Sequence, residues 1–187
     1  MLKNYINNRF GSKRGFINLC LTEAARRVGR YRDFTQVDFQ KVNRLIFICH
    51  GNICRSPLGA IVAKTQGASA ESFGLDTRGG DSADPRAVAF ATQKKMVLSD
   101  HITRHINHYS PKPGDLLVGM EPKHTDALRA LYHGHEQVQF TLAGLWLENP
   151  VAYLHDPYSA NNCFFNLCES LVEQSARVLA ARVVANK

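Results

Sequence analysis

No stretch of this sequence approaches the roughly 20 consecutive apolar residues needed to span a bilayer. Its opening residues, MLKNYINNRFGSKRGF, contain no unbroken apolar segment of the kind that directs secretion. Together these absences lead us to expect a cytoplasmic protein. There is no internal repeat and no low-complexity tract. Cysteine is sparse and scattered, at positions 20, 49, 54, 163 and 168, which excludes the disulfide framework of a small secreted domain. In a reducing compartment a close pair such as Cys49 and Cys54 points to metal binding or catalysis. At 187 residues the chain can bury one sizeable core but not two.

Acidic residues are scarce at the N-terminus. Residues 1–43 hold nine Lys/Arg against three Asp/Glu, whereas residues 44–187 hold fourteen against thirteen. The net charge of +7 therefore belongs to a basic extension, and the remainder is nearly neutral. This division predicts an extension over 1–43 and a main domain over 44–187. Nucleic-acid binding is not expected, since only the extension is basic. Within the extension, FINLCLTEAARRVGRYRDF predicts a helix with Phe16, Leu19, Cys20, Ala24 and Val28 near one face and arginines elsewhere. Such a helix suits an anionic membrane surface or an acidic partner, or it packs back on its own domain.

The main domain alternates strand and helix patterns. RLIFIC (44–49) predicts a buried strand, and Ser56-Pro57 a helix start closed by Gly67. SAESFGL, GDLLVGM and EQVQFTL supply three more strands. SADPRAVAFATQKK starts a helix with Asp84 as N-cap, and KHTDALRALYHG is another. From Asn161 onward, Phe164, Leu167, Cys168, Leu171, Val172, Val178 and Leu179 recur at helical spacing, which predicts a long amphipathic helix. Cys163 and Cys168 are expected in its core. Alternating strands and helices imply an α/β fold with a parallel sheet covered on both faces, whose ligands bind beyond the strands' C-terminal ends.

CHGNICRSP (49–57) sits at such a junction. Read as a metal site, it has too few ligands, because structural zinc wants four. Read as an anion cradle, nearly every residue has a use. Backbone N–H groups of the loop and the helix N-terminus face one spot. Gly51 lets the backbone approach a ligand, and Asn52 tolerates the left-handed conformation. Arg55 can grip two phosphate oxygens as a planar fork. In that field the Cys49 thiol is expected to ionise at neutral pH, and a thiolate below an oxyanion cradle is a phosphoryl-transfer nucleophile. Ser56 can donate to the sulfur and ease its later departure.

The Cys-x5-Arg-Ser spacing, here as FICHGNICRSP, resembles the low-molecular-weight protein tyrosine phosphatases, whose loop reads Cys-x-Gly-Asn-x-Cys-Arg-Ser-Pro. Their downstream Asp-Pro-Tyr motif is matched by Asp156-Pro157-Tyr158, and SADPRAV and LSDHITR are further landmarks. The resemblance covers residues 44 to about 185 and implies a four-stranded parallel sheet with helices on both faces, the phosphatase loop joining the first strand to the first helix. It implies Cys49 as nucleophile, Arg55 as phosphate clamp and Asp156 as general acid and base. His50, Gly51, Asn52, Ile53, Cys54 and Ser56 would bind phosphate and organise the loop. Tyr158 would line the mouth, and no metal or organic cofactor is required. Cys54 packs the loop or serves as a reversible disulfide partner for Cys49. His101 and His105 are expected to be structural.

The sequence departs from the family at His50, where many relatives carry an aliphatic residue, and in GLDTRGGD (74–81). That loop commonly holds an aromatic wall of the phosphotyrosine slot, and here offers Thr77 and Arg78. A polar or acidic phosphopeptide or a sugar phosphate then enters consideration beside phosphotyrosine. Bacterial relatives often oppose tyrosine kinases of exopolysaccharide export, which makes such a kinase the expected substrate. An arsenate reductase of the same fold would need two relay cysteines midway, and none lies between Cys54 and Cys163. A non-catalytic phosphate reader would not need Asp156.

Overall fold

The apolar run at Arg44–Cys49 forms β1, with five of its six residues buried. It pairs in parallel with β2 (Ala70–Gly74) on one side and β3 (Asp115–Gly119) on the other, and β4 (Gln139–Leu142) completes the order β2-β1-β3-β4. This is a computed structural model, which describes residues 1–186. The strand period of two divides β1 between two apolar layers. Leu45, Phe47 and Cys49, with Leu116 and Val118, face α3 (Arg55–Thr65), α4 (Pro85–Gln93) and α6 (Asn162–Ala185). Ile46, Ile48 and Leu117 face Leu128 of α5 (Pro122–Tyr132) together with Ile106 and Tyr109. Helices thus cover both faces of an all-parallel sheet. The register sets Cys49 opposite Gly74 at the C-terminal edge.

Local chemistry explains the helix starts. The Asp84 carboxylate accepts from Arg86 N at 2.8 Å with Pro85 at the first helical position. Asn161 caps α6 by accepting from Phe164 N at 3.0 Å. α6 buries Phe164, Phe165, Cys168, Val172, Ala176, Leu179 and Val183. The expectation for Cys163 fails. It lies in the first turn and is exposed, as are Asn166 and Leu167 at the three- and four-residue steps, so this side of the helix faces outward although Leu167 was counted in the stripe.

The N-terminal segment forms α1 (Leu2–Phe10) and α2 (Lys13–Arg27), followed by a short 3-10 turn at Arg32–Thr35. The apolar stripe expected to define α2 is not its packed face. Phe16, Cys20, Ala24 and Val28 are exposed, while Gly15 is buried and Asn18, Leu19, Thr22 and Ala25 are half-buried. The helix docks through its small and polar residues because these permit close approach and hydrogen bonds. Farther on, Tyr31 and Phe34 are buried with Leu142, Leu145 and Ala152. Val42 belongs to the main core, and Thr141 Oγ1 donates to Phe34 O at 2.6 Å. Among the described residues no helix is long and apolar enough to cross a membrane.

Candidate active site

The loop from Cys49 to Arg55 turns on Asn52, which adopts the left-handed conformation at φ 57°. Its side chain is fully buried and fully used. Nδ2 donates to Ser56 Oγ (2.9 Å) and Ser72 Oγ (3.0 Å), and Oδ1 accepts from Arg104 N (2.9 Å). His101 Nε2 lies 2.8 Å from the Asn52 carbonyl. The loop is therefore locked from β2 and from residues 101–104, as a pre-organised cradle requires.

Cys49 Sγ lies 2.9 Å from Ser56 Oγ, which also donates to Phe73 O at 3.3 Å. That pattern suits a thiol: S–H donates to Ser56, and the serine proton goes to the carbonyl. Opposed influences act on the thiolate expected here at neutral pH. Burial pushes the Cys49 thiol up, outweighing the Arg55 charge and the Ser56 bond that pull it down. Two carboxylates share the Arg55 charge, and one of them, Asp156, pushes the thiol up further.

Arg55 is almost completely buried. Nη1 donates to Glu121 Oε1 and to Leu154 O, both at 2.8 Å, and Nη2 meets Asp156 Oδ2 at 2.9 Å. Its Nε is a buried donor with no partner among the described residues. An orphan guanidinium donor is costly unless an acceptor arrives, and an oxyanion is such an acceptor.

Asp156 is about one-third exposed, and its Oδ1 accepts from Tyr158 N at 3.2 Å. Arg86 ties this segment to α4. It pairs with Asp84 at 2.8 Å, donates to Tyr158 O at 2.7 Å and Ala160 O at 3.0 Å, and stacks over Phe165. The Tyr158 ring is exposed and, with Ile53, borders an open groove of about 710 Å³. Across the cradle, Leu75 N donates to Cys49 O (3.0 Å) and Asp76 N to His50 O (2.9 Å), which sets the 74–81 loop beside it. His50 is exposed with Nε2 3.3 Å from Asp76. Thr77 is half-buried and Arg78 exposed on the same loop, while Gly51 is half-buried in the cradle.

Cys54 is buried and free, and burial drives its thiol up, with Glu169 adding to the effect. The Glu169 carboxyl is fully buried, neither oxygen finds a partner among the described residues, and burial pushes it up to about 8. Burial thus favours its neutral acid form. Among the described residues no group of three or more His, Cys, Asp or Glu could hold a metal ion.

Sequence reasoning did not find Ser72, Glu121, Glu169, Tyr153 or the part His101 plays in fixing Asn52. Glu121 had a signal, because it lies two residues past the end of β3, at the strand edge where α/β ligand sites lie. Ser72 sits mid-strand with no local motif.

The model of the low molecular weight phosphotyrosine protein phosphatase family matches residues 44–187. The low molecular weight protein-tyrosine-phosphatase Wzb of Escherichia coli K12 is 29% identical over 147 residues, covering 78% of this chain and 98% of that protein. The crystal structure of the Erwinia amylovora tyrosine phosphatase AmsI superposes with a TM-score of 0.62 at 27% identity, covering 77% of this chain and 92% of that one. Wzb from Escherichia coli K30, solved with sulphate, gives 0.64 at 25% identity over 76% and 99%.

Proposed function

The chain belongs to the low molecular weight phosphotyrosine protein phosphatase family, and from that premise we propose that it hydrolyses phosphotyrosine through a cysteinyl-phosphate. The observation that carries this reading is Arg55, buried beside the 49–55 loop, held by two carboxylates, with its Nε donor unpartnered among the described residues. The site holds one transferable proton. Before substrate binds, the proposed starting point has it on Cys49, with Asp156 seated against Arg55. Bound phosphate takes over the guanidinium, and the proton passes from sulfur to the released Asp156. The thiolate attacks phosphorus, the aryl P–O bond breaks, and Asp156 gives its proton to the departing phenolate. Water then attacks the cysteinyl-phosphate while Asp156 takes its proton. The S–P bond breaks onto a sulfur to which the Ser56 hydroxyl can turn, and phosphate leaves.

The substrate we propose is a phosphotyrosine protein, with a bacterial tyrosine kinase of exopolysaccharide synthesis as the specific candidate. Its support is the likeness to bacterial tyrosine phosphatases. Arsenate reduction is disfavoured because Cys163 and Cys168 both belong to α6 and no cysteine lies between them and Cys54. The test is hydrolysis of phenyl phosphate and a phosphotyrosine peptide by the native protein and by Cys49→Ser. Turnover is expected in the first and a loss of at least about 10⁴-fold in the second. Arsenate reduction, assayed in parallel with thiol reductant, is expected to be absent. Near-normal hydrolysis by Cys49→Ser would end the covalent mechanism.

A further inference from the structure

Four polar side chains link α2 to the segment that carries Asp156. Asn18 Nδ2 donates to the Tyr153 phenol oxygen at 3.1 Å. That oxygen lies 2.7 Å from His155 Nδ1, and His155 Nε2 lies 3.1 Å from Ser12 Oγ. Ser12 also caps α2, accepting from Gly15 N at 2.9 Å. With Asn18 donating to the phenol oxygen, the phenol proton goes to Nδ1, and His155 presents its own proton from Nε2 to Ser12. Burial lowers the proton affinity of His155, in keeping with this neutral form.

The contact is built for close approach. A Cβ at Gly11 would stand 2.7 Å from both His155 Cδ2 and Phe164 Cε1, and one at Gly15 would stand 2.7 Å from His155 Cδ2. Gly11 also has φ 76°, a conformation that other residues rarely adopt. A second tie joins Asn161 Nδ2 to Asn8 Oδ1 at 2.8 Å. The N-terminal helices therefore hold both flanks of the acid segment, before Asp156 and at the α6 cap after it. Residues 8–18 lie outside the span of the family match. Beside the link, a cavity of about 390 Å³ bordered by Arg14, Asn18, Leu21, Tyr153 and Asp156 leaves room for the segment to shift.

We propose that Ser12 and Asn18 are positioning residues for the general acid, acting through His155 and Tyr153 to hold Asp156 over the cradle. The proposal rests on the reading of Asp156 as that acid. The extension is then part of the catalytic unit.

The experiment compares phenyl phosphate, whose leaving group needs a proton, with 2,4-dinitrophenyl phosphate, whose leaving group does not. Full-length Tyr153→Phe, Asn18→Ala and Asp156→Ala are measured on both substrates. Tyr153→Phe and Asn18→Ala are expected to lower kcat on phenyl phosphate about tenfold, the equivalent of one lost hydrogen bond. The activated ester should change less than about twofold by the same reasoning, and inhibition by inorganic phosphate should be unchanged. Added to Asp156→Ala, neither variant should have a further effect. Ser12→Thr, which keeps hydroxyl and cap, should retain the native leaving-group profile. Equal losses on both esters, or additive loss with Asp156→Ala, would overturn the brace while the acid stands. If Asp156→Ala itself fails to discriminate the esters, the acid assignment falls and the brace falls with it.

Discussion

The cradle at 49–56 and the acid segment at 153–158 meet on one guanidinium, yet they are held by different means. Asn52 and Ser56 of the cradle are fully buried, and every polar atom of the Asn52 side chain is bonded inside the domain. The acid segment leaves Asp156 one-third exposed and Tyr158 60% exposed, tied by Arg86 on one side and by the N-terminal helices on the other. The cradle must have its shape before the anion arrives, because donors that reorganise during reaction lose their advantage. In the mechanism we propose, the acid changes partner within each turnover, from Arg55 to the leaving oxygen and then to water. Few, separable ties suit a group that moves, and complete burial suits one that does not.

The harshest way to break this comparison is at the shared residue. Arg55→Lys removes the planar fork that serves Glu121, Asp156 and the incoming phosphate together. We expect kcat/KM to fall about 10³-fold, by the same amount for phenyl and dinitrophenyl esters, since phosphate is held in both reactions. Stability should fall too, because Glu121 is 3% exposed and loses its bidentate-capable partner. Steady-state kinetics on the two esters, with urea unfolding alongside, decides this. A loss confined to the poor leaving group would mean that Arg55 acts chiefly by orienting Asp156.

The two regions also differ in how far the sequence exposed them. The turn at CHGNICRSP was legible because one contiguous stretch supplies the buried cysteine, the left-handed Asn52 and the buried Arg55, and each residue type has a local reason to be there. The strands, the Asp84 cap and the Asn161 cap were legible for the same reason, as signals confined to a few neighbours. What holds the acid segment was not. Asp156-Pro157-Tyr158 can be found as a motif, but its ties come from Arg86 in α4 and from Ser12 and Asn18, the last two well over a hundred positions away. Hydrophobic periodicity pointed to the wrong face of α2, because this interface is made by glycines and amides that carry no apolar signal. Cys163 was misplaced by the converse error, a cysteine counted as apolar at a position that the helix turns outward.

Glu169 sharpens the comparison from below, since its charge would reach both Cys54 and Asp156. Glu169 is fully buried, has no hydrogen-bond partner among the described residues, and burial favours its neutral form by pushing the carboxyl from 4.5 up to about 8. Between those values the folded protein binds a proton that the unfolded chain has released. Stability must therefore fall as pH rises through 4.5 and level off above about 8, with about 3 kcal/mol lost by pH 7. Glu169→Leu removes the titrating group, so it should be the more stable protein at pH 8 and should flatten this slope. Urea unfolding at pH 5, 6, 7 and 8 reads the difference. An unchanged slope in the variant would assign the pH dependence to other groups and show Glu169 to be solvated or paired in solution.

The smallest effect separates the two regions most cleanly. Ser72 lies on β2, is 3% exposed and accepts one Asn52 amide proton at 3.0 Å. Ser72→Ala leaves that proton buried without an acceptor, a cost of about 1–3 kcal/mol that falls on the cradle alone. Its other ties to Ser56 and Arg104 N remain, so the loop should loosen without collapsing. A looser cradle holds phosphate and sulfur less well whatever the leaving group is. We therefore expect kcat/KM to drop about five- to tenfold on phenyl and dinitrophenyl phosphate alike, with weaker inhibition by inorganic phosphate. Lesions of the acid segment should instead spare the dinitrophenyl ester and phosphate inhibition. If Ser72→Ala discriminated between the esters as Asp156→Ala does, cradle and acid would be one mechanical unit, and the separation drawn from their burial would not hold in solution.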